Sequence, residues 1–179
     1  MTTLTKVHHR KPYPAIDPTS PANSQTDRTI MITGASSGIG FEIGHAFLTA
    51  SASQVIILGR RPDTLASAVA KLEALKSPHS QAKILSRQCD VGNGPEVEKL
   101  WQGLKKDGIQ VDVLVLNAAK TGPLYVNSDW KEVWNYFEVN VLASFRMTQL
   151  FLAQGPEKGK VSVLCVHHIL FRWVIGSKK

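Results

Sequence analysis

Short apolar runs alternate along this chain with segments in which apolar residues recur every three to four positions. The runs are rich in β-branched and aliphatic residues and indicate buried strands, whereas the intervening spacing is that of amphipathic helices. The predicted strands cover residues 29–32, 53–58, 82–88, 112–116 and 160–166. This regular alternation predicts an α/β fold built on a parallel sheet.

A long amphipathic helix is predicted between the fourth and fifth strands. It starts near residue 130 and is ended by Gly155-Pro156, because proline cannot continue a helix. Its apolar face would contain, in chain order, Trp130, Val133, Trp134, Phe137, Val141, Phe145, Leu150 and Phe151. We expect this face to point toward the core.

A glycine-rich octet, Thr33-Gly34-Ala35-Ser36-Ser37-Gly38-Ile39-Gly40, joins the first strand to the first helix. The first N–H groups of a helix have no internal partner and lie at the positive end of its dipole, so this turn suits a phosphate. Gly34 permits a tight turn with positive φ, Gly38 allows a pyrophosphate to approach the backbone, and Gly40 allows the helix to pack closely. A plain strand-to-helix turn is the alternative.

The octet resembles the cofactor loop of the short-chain dehydrogenase/reductase family. Three later segments resemble family motifs in the expected order: Cys89-Asp90-Val91, Asn117-Ala118-Ala119 and Phe137-Glu138-Val139-Asn140-Val141. The resemblance covers about residues 29–164. It implies a Rossmann-type, doubly wound parallel sheet of order 3-2-1-4-5 in three α/β/α layers, without the last strands and helices of the family.

The resemblance also implies roles for individual residues of the glycine-rich turn. The serine hydroxyls at positions 36 and 37 would bind phosphate oxygens or, alternatively, cap the helix. The residues implied to bind the cofactor pyrophosphate are Gly34, Ser36, Ser37, Gly38, Ile39 and Gly40.

Five further positions match the family's cofactor and catalytic positions. Asp90 would take the adenine amino group and Val91 would flank the ring, although a helix or turn cap is the alternative for Asp90. Asn117 and Ala118 would lie on the ribose side of the cofactor, and Asn117 would also brace the sheet. Asn140 matches the catalytic asparagine that holds a water in the family's proton relay. Its alternative is a mid-helix polar residue bonded to backbone or solvent.

The second strand ends in Gly59-Arg60-Arg61, at the place where such folds meet the adenosine ribose. An acidic residue there would bind a free 2′-hydroxyl and repel a 2′-phosphate. Arg60 instead offers a planar, charged fork that suits a phosphate. We therefore expect NADP(H) to be favoured over NAD(H), the alternative being that both arginines are simply solvated.

The family's catalytic pair, Tyr-x-x-x-Lys, is missing from this sequence. The residues four positions after Tyr13, Tyr125 and Tyr136 are Asp17, Asp129 and Asn140. Where the family has serine at the end of the fifth strand, this chain has Cys165-Val166. The resemblance implies carbonyl/alcohol hydride transfer, but these absences predict a catalytically incompetent chain. The alternative is a non-catalytic dinucleotide-binding remnant, or the product of a truncated or mis-spliced reading frame.

The domain organisation follows from these segments. Residues 1–28 contain four prolines and predict a flexible N-terminal arm, residues 29–166 form the predicted dinucleotide-binding domain, and residues 167–179 form an atypical tail. The fifth strand would present an unpaired edge, which predicts self-association there.

Composition and charge favour some kinds of ligand and partner over others. The 179 residues carry a net charge of +7, which suits a phosphorylated ligand, but the scattered basic residues predict no nucleic-acid partner. The apolar stretch 161–175 contains His167, His168 and Arg172 and is too short to span a bilayer. Two cysteines without metal-like spacing and no recognisable signal peptide predict no metal site and a reducing, cytoplasmic compartment. The sequence does not define the substrate.

Overall fold

The structure of this protein is a computed structural model that describes residues 13–155 and the backbone of Ser162–Cys165. Residues 1–12 of the predicted arm, the predicted tail 167–179 and the side chains at the end of the fifth strand lie outside the described residues. Within the described part of the chain, strands and helices alternate as the hydrophobic pattern predicts.

The sheet contains five parallel strands in the order β3-β2-β1-β4-β5, which confirms the predicted topology. The strands are β1 (Thr29–Thr33), β2 (Gln54–Gly59), β3 (Lys83–Gln88), β4 (Val113–Leu116) and β5 (Ser162–Cys165). In the register, Ile30 of β1 faces Val55 of β2 on one side and Val113 of β4 on the other. The strand order reverses at β1, and the crevice at such a reversal is where ligands bind in open α/β sheets.

Helices cover both faces of the sheet and complete a three-layer arrangement. They are α1 (Gly38–Thr49), α2 (Pro62–Leu75), α3 (Gly94–Lys106), α4 (Trp130–Phe137) and α5 (Ala143–Leu152). Residues of α1 and α2 belong to the apolar cluster on one face, and residues of α3 and α5 belong to the cluster on the other.

The central strand supplies both clusters because successive strand residues point to opposite faces. Ile30 and Ile32 are fully buried against the α1 and α2 side, and Met31 is fully buried against the α3 and α5 side. Every residue of β1 after Thr29 is buried. This two-sided burial explains why the strand is a continuous apolar run rather than an alternating one.

The long helix predicted from residue 130 is divided by a π-helical segment, Glu138–Leu142, between α4 and α5. The predicted apolar face is wrong for five of its members. The exposed residues are Trp130, Trp134, Phe137, Val141 and Phe145, whereas the buried ones are Tyr136, Asn140, Ala143, Met147 and Phe151. The wide turn of a π segment shifts the positions that share a face, and the buried Asn140 contacts the loop after β4, which periodicity does not reveal.

The segment before β1 contains short helical turns. Two short 3-10 helices occupy Pro14–Ile16 and Pro21–Asn23, each with proline in its first turn. The backbone N–H of Gln25 donates to the Ala50 carbonyl at 2.7 Å. The end of this segment is therefore hydrogen-bonded to the loop between α1 and β2.

Candidate functional site

A cleft with a volume of about 1330 Å³ opens at the carboxyl ends of the strands. Most of its lining comes from the segments that follow β1, β2, β3 and β4, and Asn135 of α4 and Val139 of the π-helical segment complete it. The predicted cofactor residues among the lining are Gly34, Ser36, Ser37, Ile39, Arg60, Asp90, Val91, Asn117 and Ala118. The tertiary structure thus brings four separate sequence segments to one surface. Gly38, Gly40 and Asn140 are not part of this lining, and they contact or adjoin the residues that are.

The glycine-rich turn has the left-handed backbone that the sequence predicts at Gly34. Its φ is +65°, and a Cβ built there would lie 2.9 Å from the Cα of Ala118. Gly38 also has a positive φ, +58°, but a Cβ built at Gly38 would have no atom within 4 Å. Gly34 is therefore required by protein packing, whereas Gly38 leaves open space at the start of α1.

Gly40 is required by the packing of α1 against the end of β4. A Cβ at Gly40 would lie 2.5 Å from Asn117 Nδ2 and 2.5 Å from the Gly34 carbonyl oxygen. Asn117 Nδ2 itself donates to the carbonyls of Thr33 at 3.0 Å and Gly34 at 3.1 Å. The Asn117 amide thus occupies the space that a side chain at position 40 would need, so the bracing predicted for Asn117 and the close packing predicted for Gly40 depend on the same contact.

Thr33 is a buried polar residue to which the sequence analysis assigned no role. Its hydroxyl accepts hydrogen bonds from the N–H groups of Asn117 and Ala118, both at 2.9 Å. The same oxygen lies 3.4 Å from the Val115 carbonyl. Thr33 therefore joins the end of β1 to the end of β4 and holds the two loops of the cleft together. Only its position at the end of a buried strand could have indicated this.

The start of α1 carries backbone donors that face no helical acceptor. The first three residues of an α-helix have free N–H groups, and here they are Gly38, Ile39 and Gly40. Ser37 is the N-cap residue, and its side chain makes no capping hydrogen bond. Of the two roles predicted for this serine, the helix cap is therefore not the one adopted, and its hydroxyl is free to meet a ligand in the cleft.

Arg60 and Asp90 face each other at the β2 and β3 side of the cleft. The Arg60 Nη1 and Asp90 Oδ2 atoms are 3.9 Å apart, and the Arg60 side chain is 76% exposed. A long, exposed ion pair of this kind contributes little to stability. The guanidinium of Arg60 is thus available to an anionic ligand. Arg61 lines the same cleft.

Asp90 also fulfils the capping role that the sequence left open. Its Oδ1 accepts from the Gly92 N–H at 3.0 Å. The next helix is capped separately, because the Asn93 side chain accepts from the Glu96 N–H and the Glu96 carboxylate accepts from the Asp90 N–H at 2.8 Å. These bonds fix the segment that carries Asp90 and Val91 against the start of α3.

Cys89 lines the cleft but was not among the predicted site residues. It is 1% exposed, and burial raises the pKa of its thiol to about 12, with smaller contributions from the carboxylates of Glu96 and Asp90. The thiol is therefore neutral at ordinary pH and is a weak nucleophile.

Asn140 is buried and clamps the loop that follows β4. Its Oδ1 accepts from the Lys120 N–H at 2.8 Å, and its Nδ2 donates to the Lys120 carbonyl at 3.0 Å. The side chain therefore makes the backbone contacts described by the alternative interpretation. Its catalytic role stays a prediction.

The donor set of the cleft fits a phosphorylated dinucleotide. The charged lining residues are Arg60, Arg61, Asp90 and Lys120, so cationic groups outnumber the carboxylate. The free amides at the start of α1 supply further donors for phosphate oxygens. Among residues 13–155, no group of three His, Cys, Asp or Glu side chains is placed to hold a metal ion. No helix in the same range is both long and apolar enough to cross a membrane.

Comparison with known proteins agrees with this geometry. Residues 28–167 match the family model described as short chain dehydrogenase. The chain is 33% identical over 152 residues to the short chain dehydrogenase/reductase AacuD of Aspergillus aculeatus, covering 83% of this chain and 50% of AacuD. It is 32% identical over 162 residues to the short chain dehydrogenase mpl6 of Monascus purpureus, covering 87% of this chain and 54% of mpl6.

Solved structures show the same fold. The crystal structure of a hydroxysteroid dehydrogenase from Escherichia coli superimposes with a TM-score of 0.71 at 27% identity, covering 81% of this chain and 57% of that one. A 7α-hydroxysteroid dehydrogenase complexed with NADH and 7-oxo glycochenodeoxycholic acid gives a TM-score of 0.72 at 27% identity, covering 82% and 55%.

The fold and the cleft define a dinucleotide-binding protein of the Rossmann type. The chain belongs to the short-chain dehydrogenase family, whose members are oxidoreductases that use NAD(P) cofactors. It spans about half the length of the curated relatives it matches.

Proposed function

We propose that this chain binds NADP(H) in preference to NAD(H), with residues 29–166 as the dinucleotide-binding domain. The observation that carries the proposal is the exposed Arg60 guanidinium at the end of β2, inside the cleft and with only a 3.9 Å ion pair to Asp90. A charge-assisted hydrogen bond contributes about 1.5–3 kcal/mol, which corresponds to at least a tenfold preference for the 2′-phosphate.

The chain's own residues supply the binding geometry. The amides at the start of α1, of which that of Ile39 belongs to a cleft-lining residue, would bind the pyrophosphate. Asp90 and Val91, in the segment held by Glu96, would bind the adenine. Asn117 and Ala118, whose N–H groups donate to the Thr33 hydroxyl, would lie on the ribose side of the cofactor. When bound, the nicotinamide supplies or accepts the hydride in the family's carbonyl–alcohol chemistry.

We propose further that this 179-residue chain does not itself transfer hydride. No Tyr in its sequence is followed four positions later by Lys. Of the described tyrosines, Tyr125 and Tyr136 do not line the cleft, and Tyr136 is buried in α4. Without a phenol whose pKa a neighbouring ammonium lowers, the carbonyl oxygen has no proton donor of the expected kind.

An active oxidoreductase is the competing function, and it is supported by family membership and by the presence of Asn140. Two measurements on the full chain separate the proposals. The quenching of tryptophan fluorescence should give a Kd for NADPH at least tenfold lower than for NADH. The absorbance of NADPH at 340 nm should stay constant with a panel of ketones and quinones. Equal affinities would remove the NADP(H) preference, and turnover above background would establish the active enzyme.

A further inference from the structure

Lys120 follows β4, and the sequence assigned it no role. It is one of the lining residues. Its Nζ donates to Asn135 Oδ1 at 2.6 Å and lies 4.9 Å from the centre of the Tyr136 ring. Its backbone is fixed at the same time by both side-chain atoms of Asn140. The backbone of Lys120 is therefore fixed by the π-helical segment, and its ammonium is fixed by α4.

The ammonium of Lys120 retains donor capacity for a ligand. A lysine ammonium has three N–H donors, and Asn135 receives one of them. Lys120 takes part in none of the ion pairs found among the described residues. The amide of Asn135 is itself oriented by Glu138, whose carboxylate accepts from Asn135 Nδ2 at 3.4 Å. Glu138 thus acts on the ammonium through the amide rather than by a direct ion pair.

The strand order indicates which anionic group of a bound dinucleotide would lie nearer to Lys120. The glycine-rich turn follows the central strand β1, Arg60 follows β2 on one side, and Lys120 follows β4 on the other. Ala118, two residues before Lys120, lies against the turn, because a Cβ built on Gly34 would be 2.9 Å from the Ala118 Cα. For a ligand whose pyrophosphate lies on the turn and whose 2′-phosphate lies at Arg60, the pyrophosphate is therefore the anionic group on the side of Lys120.

We propose that Lys120 binds the pyrophosphate of the dinucleotide, across the cleft from Arg60. This inference rests on the proposed function, and it adds a charged contact to a phosphate site otherwise built from neutral amides and hydroxyls. Because Asn135 and the Tyr136 ring already restrict the side chain, binding costs less rotamer entropy than it would for a free lysine. The ammonium contributes equally to NADH and NADPH, which share the pyrophosphate.

The test measures Kd values for NADPH and NADH with wild type, Lys120→Met and Lys131→Met. Lys131 is the matched control, because it lies on α4 outside the cleft lining and its ammonium sits over the exposed Trp130 ring. Lys120→Met should raise both Kd values by a similar factor, about five- to tenfold, and should make binding less sensitive to salt. Lys131→Met should change neither Kd.

A second measurement uses the wild-type chain and does not depend on how a variant folds. ADP-ribose, which contains the pyrophosphate, should protect Lys120 but not Lys131 from acetylation, as read by peptide mass spectrometry. Unchanged affinities in Lys120→Met, loss of NADPH affinity alone, or an absence of protection would each overturn the inference. If wild type binds neither dinucleotide, the proposed function itself fails, so the two failures are distinguishable.

Discussion

Asn140 and Lys120 are joined by two hydrogen bonds, one to the N–H and one to the carbonyl of the same lysine. Asn140 lies within the π-helical segment between α4 and α5, and Lys120 lies in the loop that follows β4. The pair therefore joins the π-helical segment to the cleft-lining loop that follows β4. An amide is well suited to this task because it carries an acceptor and a donor side by side.

Replacing Asn140 should destabilise the protein. In Asn140→Ala both the N–H and the carbonyl of Lys120 lose their partner in a half-buried place, which should cost about 2 kcal/mol in the free energy of unfolding. Urea denaturation followed by circular dichroism measures this change. Gln149→Ala, at an exposed position of α5, is the control and should differ from wild type by less than about 0.5 kcal/mol. Equal midpoints for the two variants would contradict the bracing role.

Gly40→Ala should both destabilise the chain and weaken dinucleotide binding. Its Cβ would lie 2.5 Å from Asn117 Nδ2 and from the Gly34 carbonyl, and relieving such overlap costs about 1–3 kcal/mol. The matched control is Gly103→Ala in α3, where a Cβ meets nothing within 4 Å and should stabilise the helix by about 0.5–1 kcal/mol. Thermal unfolding and NADPH titration measure both effects. An unchanged midpoint in Gly40→Ala would show that α1 can move away from Asn117.

Arg60→Glu should abolish or reverse the cofactor preference. The new carboxylate would stand near Asp90 and would repel a 2′-phosphate, so the Kd for NADPH should rise about 10- to 100-fold. The Kd for NADH should stay within twofold of wild type, because NADH has a free 2′-hydroxyl there. Lys71→Glu makes the same change in net charge on the exposed side of α2, outside the cleft lining. A similar loss of NADPH binding in Lys71→Glu would mean that overall charge, rather than a contact, sets the preference.

Cys89 should make stability fall at alkaline pH. The folded thiol has a pKa raised from 9.0 to about 12, so above pH 9 the unfolded chain releases a proton that the folded chain keeps. The stabilising contribution is therefore complete below about pH 9 and is lost between about pH 9 and 12. Between pH 7.5 and pH 10 wild type should lose about 1 kcal/mol more than Cys89→Ala. Parallel pH profiles of the two proteins would show that the folded thiol ionises normally.

Local sequence was sufficient for the glycine-rich turn. Gly34 has the positive φ expected for a tight turn, and Gly40 packs as closely as its lack of a Cβ suggested. Both predictions depend on backbone geometry within a few residues and on one neighbouring strand. Likewise, the continuous apolar runs placed all five strands to within a few residues, because a strand buried on both faces admits few polar side chains.

Helical periodicity was not sufficient for the region from residue 130. It identified apolar residues but not which of them would be covered, and it favoured a face that includes the exposed Trp134 and Phe145. The structure instead buries Asn140, because its amide satisfies the backbone of Lys120. The hydrogen-bond partner of a polar residue inside a helix cannot be predicted from the helical pattern, because the partner here lies 20 positions away in the sequence.

By itself, the sequence determined the α/β class, the glycine-rich turn and the absence of a Tyr-x-x-x-Lys pair, and its resemblance to the family implied the strand order. The α/β class and the turn follow from short-range patterns, and the missing pair follows from residue identity alone. Only the tertiary structure decided that Thr33 joins β1 to β4, that Cys89 is a buried cleft residue and that Lys120 and Arg60 line the same cleft. The Thr33 hydrogen bonds, for example, join residues 84 and 85 positions apart. No local pattern encodes such contacts, because they arise when neighbouring strands end at the same edge of the sheet.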